Sequence, residues 1–220
     1  MNPETDFSIR TFSGGYDKNL TYLITCSRTG TQVLVDAAIE ISKFSEFLRN
    51  DPIAILITHG HGDHTAHLDD YVHEYPNINI LGHPDSHIRK SNYHFKEIED
   101  KQGFIIGEMN FKGLHTPGHY FDSICYQLSP VLFTGDTIFI GRTGRIKGSR
   151  SNIEDLYQSV YNKILKMPKN VRIYPGHDYG DKPTMTLDEN IKQSPLLRAK
   201  DLDDFKKRMD DYEKNREVGS

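Results

Sequence analysis

The chain has 220 residues, of which 36% are hydrophobic and 26% charged, with no Trp and a formal net charge of −4. That length suits one domain with a real core, and the slight acidic balance excludes a broad nucleic-acid footprint, which wants concentrated Lys and Arg. No apolar run reaches membrane-spanning length and no secretory signal opens the chain, so the expectation is a cytoplasmic single domain over 1–220, with residues 184–220 a short helical C-terminal extension.

Phe7 to Phe12, Leu20 to Cys26 and Gln32 to Val35 alternate with the turn pairs Gly14-Gly15 and Thr29-Gly30, which predicts an antiparallel meander. Asp36 ends the third strand. Ile41, Phe44, Phe47 and Leu48 then recur at helical spacing and predict a helix near residues 40–50. Ile53 to Ile57 is a continuous apolar run and reads as a buried strand. A helix over about Thr65 to Tyr75 and a strand over Ile78 to Leu81 follow, then a polar, helix-prone segment to about Gln102. Strands are predicted at Phe104 to Ile106, Phe111 to Leu114, Ser123 to Leu128 and Val131 to Thr134.

Asn152 suits the cap of a helix carrying Leu156, Val160, Ile164 and Leu165. A strand over Val171 to Tyr174 and helices near 186–193 and 201–215 complete the chain. The stripe Leu202, Phe205, Met209 and Tyr212 reads as a packing face. Cys26 and Cys125 sit in apolar, strand-like contexts without metal-finger spacing and read as buried free thiols. Strands and helices mix in both halves with no dividing linker, which favours a layered α/β sandwich.

The chemistry concentrates after the strand Ile53 to Ile57, in Thr58-His59-Gly60-His61-Gly62-Asp63-His64. Imidazole and carboxylate are the ligands of zinc, iron, cobalt and manganese. Glycines between them let the backbone turn tightly and aim the ligands inward. Three further candidates also follow strands beside glycine: His119 in His115-Thr116-Pro117-Gly118-His119, Asp136 in Thr134-Gly135-Asp136-Thr137, and His177 in Pro175-Gly176-His177. Seven nitrogen and oxygen ligands are too many for one tetrahedral ion but suit two ions with open positions.

Together these segments resemble the metallo-β-lactamase superfamily over nearly the whole chain. The resemblance implies a four-layer αββα sandwich with metal at one edge of its two sheets. It implies that His59, His61 and His119 hold a first ion and Asp63, His64 and His177 a second, with Asp136 bridging. Zinc is the leading expectation, with iron or manganese as alternatives, and Asp63 and Asp136 are the expected catalytic carboxylates. Asp36 matches the superfamily's early Asp, which supports the site without being a ligand. Of the other histidines, His83 and His115 are candidates for supporting the ligands, whereas His67, His73, His87 and His94 read as surface or packing residues.

The segment from Gly135 to Arg145 is similar to the glyoxalase II and persulfide dioxygenase branch. In that branch a basic residue nine positions after the bridging Asp contacts glutathione. Arg145 occupies that position, and Arg142 is the alternative. Tyr179 matches a further glutathione contact, and Pro195-Leu196-Leu197-Arg198 resembles a late substrate-binding segment, with Ser194 in place of Asn. The turn His119-Tyr120-Phe121-Asp122-Ser123 departs from the branch's small residues.

The expected function is therefore metal-dependent hydrolysis of acyl thioesters, hydroxyacylglutathione being the model substrate, through a metal-bridging hydroxide. One alternative is a mononuclear iron persulfide dioxygenase using His59, His119 and Asp136. A second is hydrolysis of another small ester or thioester without glutathione. A metal-stabilised binding module is disfavoured, because structural sites close their ligand sets with Cys. Neither nucleic acid nor membrane is an expected partner.

Overall fold

Two six-stranded mixed sheets stack on one another, in the computed structural model that describes residues 6–90 and 93–217. The first sheet runs β1 (Phe7–Gly14), β2 (Asn19–Cys26), β3 (Gln32–Val35), β4 (Ala54–Leu56), β5 (Asn79–Gly82) and β6 (Phe95–Glu97), in that order. The second contains β7 (Gly103–Ile106), β8 (Met109–His115), β9 (Ile124–Leu128), β10 (Val131–Gly135), β11 (Arg172–Pro175) and β12 (Met185–Thr186), ordered from β12 back to β7. The expected opening meander is present, since β1, β2 and β3 pair antiparallel, while β3, β4, β5 and β6 run parallel.

Side-chain alternation divides the core into three layers. Leu20, Tyr22 and Ile24 of β2 meet Phe111, Tyr126 and Phe133 of the second sheet between the two sheets. Leu23, one step along β2, points the other way and packs with Leu34, Ile55 and Tyr71. Tyr71 belongs to α1 (Leu68–Glu74), which covers the first sheet. On the far side, Leu132 and Ile173 pack beneath α2 (Ile153–Tyr157), α3 (Leu187–Gln193) and α4 (Leu202–Glu217), giving the αββα order. The Asn152 side chain caps α2 by accepting from the Glu154 and Asp155 amides at 2.8 and 3.1 Å, a contribution of about 1 kcal/mol. The predicted stripe on α4 packs as expected, with Phe205 and Met209 buried. Cys26 and Cys125 are buried free thiols.

Two expectations are corrected. Residues 40–50 form two short 3-10 turns, Ile41–Lys43 and Ser45–Phe47, instead of a helix. Phe44 between them is fully buried and packs edge-on to Tyr71 at 5.3 Å, so tertiary anchoring overrides the helical spacing. The helix-prone stretch before Gln102 contains a 3-10 turn, His87–Lys90, and the strand β6. Phe95 lies close against the Gly82 backbone, and the edge of the sheet recruits a segment with no apolar run of its own. No described helix is long and apolar enough to cross a membrane.

Candidate metal centre

The ends of β4, β10 and β11 and the turn between β8 and β9 converge on one edge of the sandwich. A short bridge between Asn19 and His177 ties the two sheets together there. All seven predicted ligands meet at this edge. His59, His61 and His119 form one group, Asp63, His64 and His177 another, and Asp136 joins a third with His59 and His64; within each group the ligand atoms lie within 4.8 Å of one another. Asp136 stands between the groups, its Oδ2 lying 3.4 Å from both His119 Nε2 and His177 Nε2.

Neighbouring groups fix which nitrogen of each ring faces inward. His119 Nδ1 donates to the Arg145 carbonyl and His177 Nδ1 to the Asp17 carbonyl, each at 2.8 Å. His64 Nδ1 donates to Asp36 Oδ2 at 2.8 Å. Each Nε2 is therefore the nitrogen turned toward the centre, where it holds a proton or, once that proton is displaced, a metal ion. These nitrogens then crowd one another: His64 Nε2 is 3.2 Å from His177 Nε2, and His61 Nδ1 is 2.9 Å from His59 Nε2 and 3.1 Å from His119 Nε2. Two nitrogens at this distance need a proton or a metal cation between them. Nitrogens on one tetrahedral zinc ion stand about 3.3 Å apart, given bonds of ~2.0–2.1 Å. The buried Asp136 Oδ1 accepts no hydrogen bond. The donor set therefore fits divalent ions.

Without a metal ion, protons on the rings balance the carboxylates. Burial opposes charge on Asp136 and Asp63, but the surrounding histidines, and Asn19 beside Asp63, hold both carboxylates well below their usual range. Burial likewise opposes a proton on His177, yet hydrogen bonds to Asp136 and Asp63 carry its pKa up to about 9. His61 goes the other way, down to about 4, through burial and then the neighbouring His119. The cluster is one of paired opposite charges drawn out of water.

Several residues hold the ligand loop in place. Asp36, 1% exposed with a left-handed φ of 58°, accepts from the Thr58 amide, the Thr58 hydroxyl and His64, all at 2.8 Å. Asp122 Oδ1 accepts from the Gly60 amide at 3.1 Å, between the candidate ligands His59 and His61. Asn19 donates to Asp63 Oδ2 at 3.0 Å. Gly176 must lack a side chain, because a Cβ there would stand 2.3 Å from Asp136 Oδ1.

The predicted substrate residues divide. Tyr179 stacks on His177 at 4.9 Å, and the Arg142 guanidinium lies 3.7 Å above the Tyr179 ring. Arg142 is only 8% exposed; its Nη1 donates to Tyr212 at 3.3 Å, while Nε and Nη2 are buried without an acceptor. Arg145 is engaged by Glu213 of α4. Arg198 donates to the Ser194 carbonyl at 3.4 Å, and among the described residues none of its hydrogen bonds or ion pairs reaches the histidine cluster. His83 and His115 stack on each other at 4.0 Å, and His115 Nε2 donates to the Phe121 carbonyl at 2.8 Å, so the pair braces the turn after His119. Asn19, Asp17 and Asp122 join the site without being among the residues that the sequence pattern points to. Asn19 opens a strand and Asp17 uses its carbonyl, so no motif marked either; the odd turn containing Asp122 was the available signal.

A His/Asp cluster at one edge of two stacked sheets flanked by helices defines a metal-centred α/β sandwich. The chain belongs to the metallo-beta-lactamase superfamily, whose sequence model matches residues 14–177. It is 30% identical over 198 residues to a probable polyketide biosynthesis zinc-dependent hydrolase, BaeB, of Bacillus velezensis, covering 85% of each chain. It is 29% identical to a hydroxyacylglutathione hydrolase of Francisella tularensis subsp. novicida, covering 80% of this chain and 82% of that one. Among solved structures it resembles ETHE1 from Myxococcus xanthus with a TM-score of 0.81 and 26% identity, over 92% of this chain and 90% of the other.

Proposed function

We propose that this protein is a metal-dependent hydrolase of acyl thioesters, with hydroxyacylglutathione-type compounds as the model substrates. The observation that carries the reading is the meeting of two complete ligand groups at Asp136. The hydrolase names of two relatives that share most of its length support it. His59, His61 and His119 would hold one ion and Asp63, His64 and His177 a second, with Asp136 between them; zinc suits this nitrogen-rich set. Ions bound there supply Lewis acidity, which makes water nucleophilic near neutral pH and takes up charge on a carbonyl oxygen.

The protein's own part is preorganisation. His64, His119 and His177 are each oriented by an acceptor at 2.8 Å, so little rearrangement accompanies the reaction. In hydrolysis an oxygen from water bonds to the acyl carbon, the carbon–sulfur bond breaks, and the products are a carboxylate and a thiolate, the two protons of the water passing to solvent. A thiol pKa of about 8.5 means that the leaving group needs little protonation, so no separate acid is required. Arg142 and Tyr179 are assigned to the thiol arm, because Tyr179 stacks on His177 and the Arg142 guanidinium lies over its ring, which puts a cation behind the wall beside the second ligand group. Arg145 would serve that arm only by giving up Glu213.

The test is metal removal and return. Chelated protein should lose S-lactoylglutathione hydrolysis and regain it with zinc, while the corresponding amide stays uncleaved. Hydrolysis that survives full chelation would contradict the proposal.

A further inference from the structure

The turn after His119 carries Tyr120 and Phe121, bulky residues beside a ligand. The Tyr120 ring lies against His61 at 4.2 Å and His59 at 6.0 Å. It thus lines the centre on the side of the His59, His61 and His119 group. The opposite side is lined by Tyr179, stacked on His177. Each aromatic wall is backed by an arginine. Arg142 backs Tyr179, and Arg150 Nη1 donates to the Tyr120 hydroxyl at 3.1 Å while its guanidinium lies 5.4 Å over the Phe121 ring.

The cations near this loop are not equivalent. Glu213 takes Arg145 at 3.1 Å and stands 3.8 Å from Lys147. No ion pair among the described residues involves Arg150, which is exposed. A guanidinium presents five donors, and the contact with Tyr120 uses one of them. The Tyr120 oxygen accepts from a cation, which strengthens its own O–H as a donor. A cation and a polarised hydroxyl, side by side at the edge of the centre, match a carboxylate.

We propose that Tyr120 and Arg150 form the acyl-side wall of the substrate site and select thioesters whose acyl group ends in a carboxylate. The inference rests on the thioesterase reading and assigns the second arm of the same substrate. With the thiol arm on the Tyr179 side, the acyl arm extends toward Tyr120. Tyr120 fills space against His61, so it also limits the width of neutral acyl groups.

The experiment compares succinyl, acetyl and benzoyl thioesters of one simple thiol, using the full chain loaded with zinc. Wild type should favour succinyl over acetyl in kcat/KM. Arg150→Ala should lower that succinyl-to-acetyl ratio by roughly tenfold, as loss of one charge-assisted contact does, and Arg150→Lys should restore part of it. Tyr120→Thr should raise the benzoyl-to-acetyl ratio by widening the wall. Zinc content and unfolding temperature, measured for each variant, separate selectivity from misfolding, and ratios within one variant are independent of the active fraction. A wild type without succinyl preference, or an unchanged ratio in Arg150→Ala, overturns this inference and leaves the thioesterase reading standing. A wild type that cleaves none of the three thioesters, nor S-lactoylglutathione, overturns both.

Discussion

Arg145 and Glu213 join the C-terminal helix to the metal centre: Nε and Nη2 of Arg145 donate to one Glu213 oxygen at 3.2 and 3.1 Å. The carbonyl of the same arginine holds His119 at 2.8 Å. Helix α4 therefore steadies the candidate ligand His119 through the backbone it clamps, and the Thr143 hydroxyl's contact with Met209 at 3.3 Å adds a second fastening. Glu213→Ala should lower stability by about 1 kcal/mol, the upper end for a partly exposed pair, and weaken zinc retention in a chelator competition. Unchanged retention would mean that the loop holds His119 unaided.

Arg142 should matter for binding more than Arg145. Arg142→Met keeps apolar contact with Tyr179 and removes the charge, so KM for an anionic thiol substrate should rise roughly tenfold with kcat little changed. Arg145→Met should act mainly on unfolding temperature. Steady-state kinetics on both variants decide the matter, and the reverse pattern would return the substrate role to Arg145.

Asp36→Ala should be among the most damaging single changes outside the ligands. It strips an acceptor from the Thr58 amide, the Thr58 hydroxyl and His64, in a site that is 1% exposed. Buried donors left unpaired cost about 1–3 kcal/mol each, so a loss of roughly 3 kcal/mol or more is expected in denaturant unfolding. Asp36→Asn keeps the volume and suits the left-handed φ of 58°, and should cost less.

His83 should add acid sensitivity. Burial, then the stacked His115, lowers its pKa from 6.5 to about 4. The unfolded chain therefore takes up a proton below pH ~6.5 that the folded chain refuses until about pH 4. Stability is retained above that window and lost as pH falls through it, on the order of 1 kcal/mol by pH ~5.5. Unfolding of zinc-saturated His83→Gln should show a shallower slope over this range than wild type, and identical slopes would refute the assignment.

The residues that converge in the His/Asp cluster are more legible in the sequence than the fold around them. Candidate ligands such as His59 and Asp136 follow strands beside glycine, a local signal that needs no tertiary knowledge. Asp122 and Asp17 were hidden because they act through contacts with residues far along the chain, Gly60 and His177. Residues 40–50 misled because Phe44 is a tertiary anchor at helical spacing, and β6 because an edge strand needs only one apolar face. Arg145 matched a pattern in the chain, but no pattern announced that Glu213 would reach it.

The central claim is hydrolysis of a thioester at a two-ion centre, and it is tested by counting metal and assaying two reactions on the same preparation. The protein should bind two zinc ions per chain, release thiol from S-lactoylglutathione, and consume no oxygen with glutathione persulfide. Oxygen uptake that depends on one iron per chain and disappears with zinc, without thioester cleavage, would contradict the account.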